Sequence, residues 1–222
     1  MRAALPGDAR VFLGRLTRVH PEALVRLRPA GRGRVQLWAY LPWGVLVTRQ
    51  VAATVPGDRT VGAAALLAAA AAGEPLPPAR DALWRWPLPP GAGTAVEEIG
   101  AGEVRAVAAA AAGTLRTVTD EGLDGRPVGV RVLREALLDH VAVVVTPQAA
   151  GPGAGASAGD RIEIPQRLVQ AVLKMGFLGA APDDPVRVRL AERWIGLAGR
   201  NGTAWLPPRG GLLVRSRPHP PR

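Results

Sequence analysis

Three stretches of the chain predict an α+β fold. Residues 35–51 alternate apolar and polar side chains on both sides of Pro42-Trp43-Gly44, the pattern of a hairpin. Residues 58–72 and 102–119 are alanine-rich runs of helical length. Residues 141–146, VAVVVT, form a continuous β-branched run that predicts a strand buried on both faces. The expected architecture is several small antiparallel sheets, or one mixed sheet, packed with alanine-rich helices.

Asp8 is placed to cap a first helix over 9–19, in which Ala9, Phe12, Leu13, Leu16 and Val19 share one side. His20-Pro21 suits a helix start, and a second, shorter helix is expected through Leu27. In the hairpin, Val35, Leu37, Ala39 and Leu41 alternate with Gln36, Trp38 and Tyr40; the return strand runs from Val45 to Val51. In simple register Trp38 and Tyr40 share a face with Gln36, Leu46, Thr48 and Gln50. That face is either a stacking platform or a core. Core packing under a covering helix is favoured, because burying tryptophan stabilises strongly and Arg49 is the hairpin's one cation.

Asp58 is expected to cap the first alanine-rich helix, which ends at Gly73. The proline-dense stretch 74–93 wraps the surface, with Trp84 and Trp86 as anchors. A strand at 94–99, a helix at 102–119, a helix at 129–140 and the 141–146 strand follow. GPGAGASAGD (151–160) reads as linker. Its glycines begin several residues past the strand and lead towards another strand, so they cannot set a helix N-terminus against a pyrophosphate. RIEI (161–164) is a strand and 165–175 an amphipathic helix with Leu168, Val169, Val172 and Leu173 inward. A three-stranded meander closes the fold at 186–190, 194–198 and 203–206, with Asn201-Gly202 in its second turn. The organisation is then an α+β region over 1–148, a Gly/Ala-rich linker or loop over 149–160, a helix-plus-meander region over 161–206, and a Pro/Arg-rich tail over 207–222. Leu212–Val214 of the tail suits an edge strand.

Composition narrows the function. The 222 residues carry 48% hydrophobic and 21% charged side chains, ordinary for a globular protein. The longest apolar run, from Val61 to Gly73, falls short of the roughly 18 residues a membrane span needs. Arg10 and Arg15 interrupt the stretch where a signal peptide is apolar, so a cytoplasmic protein is expected. The absence of cysteine excludes thiol chemistry and disulfides. Serine occurs only at 157 and 216 and histidine only at 20, 140 and 219. His140 is the single candidate base within a regular element, and its neighbour Asp139 points elsewhere on a helix. No paired-histidine spacing for zinc exists. The carboxylate pairs Glu97-Glu98, Asp120-Glu121 and Asp183-Asp184 lie at element edges, where charge is ordinarily solvated. No cofactor, metal or catalytic residue is expected.

The net charge is +10, and 27 of the 28 basic residues are arginine. The excess lies at the ends. Residues 1–34 hold eight arginines against two acids, and 186–222 hold eight against one. In the meander, Arg187 and Arg189 share the outer face, with Arg193 and Arg200 in the turns and Trp194 close by. Arg187, Arg189, Arg193, Trp194 and Arg200 are therefore the candidate binding residues for an anionic partner, nucleic acid foremost. Residues 58–164 also match the element order of a winged helix-turn-helix reading DNA through Arg131 and Arg134. The long link between the two helices and the local negative charge argue against that. The expected role is a non-catalytic binding or accessory protein. Two alternatives remain: an enzyme using carboxylates and arginine on a small anionic substrate, and a protein scaffold with an apolar patch around Trp84 and Trp86.

Overall fold

In the N-terminal region, Ala23, Val25 and Leu27 alternate with Leu24, Arg26 and Arg28, and the backbone there is extended rather than helical. The computed structural model describes residues 5–121, 130–146 and 161–208. It contains α1 (Gly7–Val19), β1 (Leu24–Pro29), β2 (Arg34–Leu41), β3 (Val45–Ala52), β4 (Arg59–Gly62), α2 (Ala63–Ala72), β5 (Thr94–Gly100), α3 (Ala101–Glu121), α4 (Val130–Asp139), β6 (Val141–Val145), β7 (Ile162–Pro165), α5 (Gln166–Lys174), β8 (Pro185–Ala191), β9 (Trp194–Gly199) and β10 (Gly202–Leu206). The expected linker (149–160), most of the tail with its edge strand, and the side chains of Arg131 and Arg134 lie outside the described residues.

The fold is α+β, with one large antiparallel sheet in the order β4-β1-β2-β3-β10-β9-β8-β5 and a small β6–β7 sheet. The N-terminal hairpin and the C-terminal meander are joined by antiparallel pairing of β10 with β3. Each half repeats one arrangement: a helix (α1 or α5), a three-stranded meander, and an outer strand (β4 or β5) on the meander's first strand. At the junction Phe12 of α1 and Phe177, just beyond α5, stack with centroids 6.3 Å apart.

One face of the large sheet carries Val25, Leu27, Val35, Leu37, Ala39, Val47, Val188, Leu197 and Ala204, all essentially inaccessible. Helices α1, α2, α3 and α5 cover this face with Phe12, Leu13, Leu16, Leu66, Val104, Leu168 and Val172. Alanine dominates α2, and its small side chains let that helix lie close to α1 and β4. The hairpin turn is tied to α5 reciprocally. Trp43 Nε1 donates to the Arg167 carbonyl (3.2 Å), and Arg167 Nη1 donates to the Trp43 carbonyl (2.8 Å).

Four local expectations are corrected. The helix expected through Leu27 is β1, because Val25 and Leu27 gain a buried face and ladder partners on both sides, in β2 and β4. Asp58 does not cap a helix: Arg59–Gly62 forms edge strand β4, and the helix begins at Ala63. Asp8 lies inside the first turn of α1, with Pro6 at the cap position. The 141–146 run is only partly buried; β6 has a single partner strand among the described residues, and Val144 remains 40% exposed. Strand β5 pairs with β8 of the large sheet, so residues 58–164 do not form a self-contained winged unit.

Candidate binding surface

The second face of the large sheet is built from the alternate residues of the same strands. One row across it runs Thr60, Arg26, Trp38, Thr48, Thr203, Ala198, Arg187 and Glu98. The next contains Tyr40, Leu46, Trp205, Gly196 and Arg189. Trp38, Leu46, Ala191, Trp194 and Trp205 are buried together, with Tyr40, Trp84 and Leu88 packed against them. Trp38 is thus core, as the hairpin pattern predicts. Its cover is the proline-dense strap 74–93 rather than a helix.

Several contacts fasten the strap. Trp86 stacks on Tyr40 at 4.8 Å between centroids, and Trp84 meets Trp86 edge-on at 5.2 Å. Trp84 Nε1 donates to the Trp86 carbonyl (2.7 Å). The Arg26 guanidinium lies 5.8 Å from the Trp84 ring centroid, a cation–π contact. Arg80 N–H donates to the Thr60 carbonyl, and Thr60 N–H donates to Asp81 Oδ1. At the far end, Arg189 donates through Nε and Nη2 to the Ala92 and Gly93 carbonyls, both at 2.7 Å. Gly93 and Gly196 allow this close approach. A Cβ on Gly93 would sit 2.6 Å from the Leu190 carbonyl oxygen, and one on Gly196 would sit 2.7 Å from the Trp205 ring.

Between strap and sheet a cavity of about 510 Å³ remains, lined by Arg28, Gln36, Trp38, Thr48, Pro89, Pro90, Gly91, Ala92, Arg189, Thr203 and Trp205. The hairpin pattern already groups Gln36 and Thr48 with Trp38. Thr203 and the strap residues join them only through the β3–β10 pairing, which no local signal announces.

The arginines of this face, apart from exposed Arg34 at the start of β2, are committed to local partners. Arg26 donates to both Asp58 oxygens (2.7 and 2.8 Å), and Arg28 reaches the same carboxylate at 3.1 Å. The hydrogen bonds that Arg26 donates to Asp58 raise the pKa of its guanidinium above the ordinary value, against the opposing effect of burial. Of the residues singled out in the meander, Arg187 and Arg189 share this face. Arg187 pairs with Glu98 at 3.1 Å, and Arg189 holds the strap. Trp194 is 6% exposed. Arg193 and Arg200 sit at opposite ends of β9, Arg200 lying 3.9 Å from Asp184.

The helical layer differs. On α1, Arg10 and Arg18 are exposed, and the Arg15 guanidinium lies against Gly176 at the C-terminal end of α5, near exposed Lys174. Arg10, Arg15, Arg18 and Lys174 form no ion pair among the described residues.

Carboxylates meet an arginine in one further hollow, of about 220 Å³, where Asp139 and Glu163 lie with Arg193. Both side chains are more than half exposed and Arg167 pairs with Asp139, so solvent and a structural partner already stabilise the charges. His140 is exposed at the end of α4, where its carbonyl accepts the Gln166 N–H. No group of three or more His, Asp or Glu able to hold a metal occurs among the described residues. No helix among them is long and apolar enough to cross a membrane.

This helix-backed antiparallel sheet is a sliding-clamp-like fold. It is similar to a DnaN sliding clamp (DNA polymerase III subunit beta) from Bartonella birtlesii solved with griselimycin, at 17% identity and a TM-score of 0.51, over 97% of this chain and 66% of that one. The DNA polymerase III subunit beta from Pseudomonas aeruginosa aligns at 14% identity and a TM-score of 0.49, over 97% and 65%. The chain thus spans slightly less than two thirds of the length of these clamp chains. The chain belongs to the family described as Domain of unknown function (DUF8185), whose model matches residues 88–211. A second model, Domain of unknown function (DUF8010), matches residues 2–86. No curated protein matches the sequence.

Proposed function

We propose that the protein is a non-catalytic accessory protein that engages an anionic partner, nucleic acid foremost, through the outer surface of its helical layer. One contrast carries the reading. Arginines on the sheet face other than Arg34 at its edge are tied to Asp58, Glu98 or strap carbonyls, whereas Arg10, Arg15 and Arg18 of α1 and Lys174 of α5 have no ion-pair partner among the described residues. Cations without acidic partners release phosphate counterions on binding without first breaking an internal pair. The clamp-like fold supports the reading by analogy only, since a fold hosts many functions. Exposed Arg193 and Arg200 are secondary contacts in this scheme.

Fluorescence anisotropy with a labelled DNA duplex across a salt series tests it. The triple substitution Arg10→Gln, Arg15→Gln, Arg18→Gln is expected to flatten the log–log salt dependence by about 2–3 units, near 0.9 per lost phosphate contact. Arg187→Gln should leave the slope unchanged. Undetectable binding at about 50 mM salt, where phosphate contacts are strongest, sinks the proposal. So does a slope indifferent to the triple substitution.

A further inference from the structure

Trp38 and Thr48 face each other across the β2–β3 ladder, and both border the cavity beneath the strap. They are 4% and 5% exposed, yet Trp38 Nε1 and Thr48 Oγ1 are buried without any hydrogen-bond partner. A buried donor left unsatisfied is normally selected against, because desolvation costs more than an ordinary hydrogen bond contributes. Two such groups side by side at one cavity wall point to a partner that binds there.

The chemistry of the wall selects that partner. Trp38 Nε1 can only donate. Arg28, which shares Asp58 with Arg26, and Arg189 are cationic, and the two strap carbonyls leave Nη1 of Arg189 uncommitted. Gln36, Thr48 and Thr203 supply further donors, and no carboxylate lines the cavity. The rest of the lining is apolar, chiefly Pro89, Pro90, Ala92 and Trp205. About 510 Å³ falls within the range of small-molecule sites.

We propose that this cavity binds a small organic anion, a carboxylate or phosphate carried on a flat apolar body, with the oxyanion accepting from Trp38 and Thr48. The site goes beyond the accessory role assigned to the helical layer and uses none of its residues. Because Trp38 Nε1 and Thr48 Oγ1 are closed off from solvent, occupation requires the atoms covering them to move; the strap residues 89–92, flanked by glycines at 91 and 93, are the part of the lining that lies outside the sheet.

The test follows the indole N–H signals of the ¹⁵N-labelled full chain, that of Trp38 being assigned by its loss in Trp38→Phe. The probes are 2-naphthoate for a carboxylate source and adenosine monophosphate for a phosphate source, with neutral 2-naphthamide and adenosine as controls. At least one anion is expected to shift the Trp38 signal with a Kd below about 1 mM, and whichever does so identifies the source. Its neutral counterpart should leave the signal in place. Thr48→Val keeps the side-chain shape and removes the orphaned hydroxyl. It is expected to weaken anion binding about tenfold or more while the melting temperature holds or rises. No shift with either anion overturns the proposal. Equal binding of the neutral counterpart does too, as does unchanged affinity in Thr48→Val.

Discussion

The two faces of the large sheet are covered by opposite means. On one, regular helices contribute many small and medium aliphatic side chains, none of which dominates. On the other, an irregular strap is held by a few large rings and by one arginine, Arg189, bonded to two backbone carbonyls. The contrast follows from composition. Residues 74–93 are too rich in proline to satisfy their backbone groups in a helix. Their attachment depends on aromatic area and on side-chain donors reaching carbonyls that no helix or strand ladder satisfies. A helix-covered face spreads its stability over many contacts. A strap-covered face concentrates it in few.

Neighbouring residues in the sheet sharpen that contrast. Trp205→Ala should cost about 3–5 kcal/mol and Leu37→Ala about 2–5 kcal/mol in denaturant unfolding, both as core truncations. They should differ in how structure is lost. Trp205→Ala should loosen the strap enough for trypsin to cleave after its exposed Arg80 and Arg85 under native conditions, whereas Leu37→Ala should unfold without that early cleavage. Equal strap protection in both variants would break the comparison.

Gly93→Ala should cost about 1–3 kcal/mol, the range for backbone strain. Its φ of 65° suits glycine, and its Cβ would strike the Leu190 carbonyl. Full wild-type stability in this variant would show that the strap end adapts freely. Arg189→Gln removes two charge-assisted hydrogen bonds, worth up to about 1.5–3 kcal/mol if both are lost, less whatever water restores at this half-buried site. Faster hydrogen exchange confined to the strap is the expected readout. Replacing Arg10, Arg15 and Arg18 should change stability by no more than about 0.5 kcal/mol, because none holds an ion pair among the described residues. A larger loss would move these residues from partner binding to fold maintenance.

Much of the fold follows from local pattern. The hairpin register, the face shared by Trp38, Gln36 and Thr48, the inward side of α5, and the meander all rest on periodicity of two or about 3.6, which needs no distant partner to be read. The α1–β1 boundary was less legible. Pro21 followed by Glu22, Ala23, Leu24 and Val25 suits a helix start as well as a strand, and only the ladders to β2 and β4 decide between them. Asp58 has the form of a helix cap but is held by Arg26 and Arg28 from another strand.

By itself, then, the sequence determined the α+β class, the aromatic hairpin face, the irregular character of residues 74–93 and the basic bias of the chain's ends. Tertiary structure alone decided that β10 would join β3, merging hairpin and meander into one sheet and bringing Thr203 and Trp205 beside Thr48 and Trp38. It also decided which arginines would be neutralised and which left without an acidic partner among the described residues. The physical reason is range. Periodicity and turn chemistry act within a few residues, whereas strand pairing and ion-pair choice depend on groups far apart in the chain, whose meeting is set by burial of the whole.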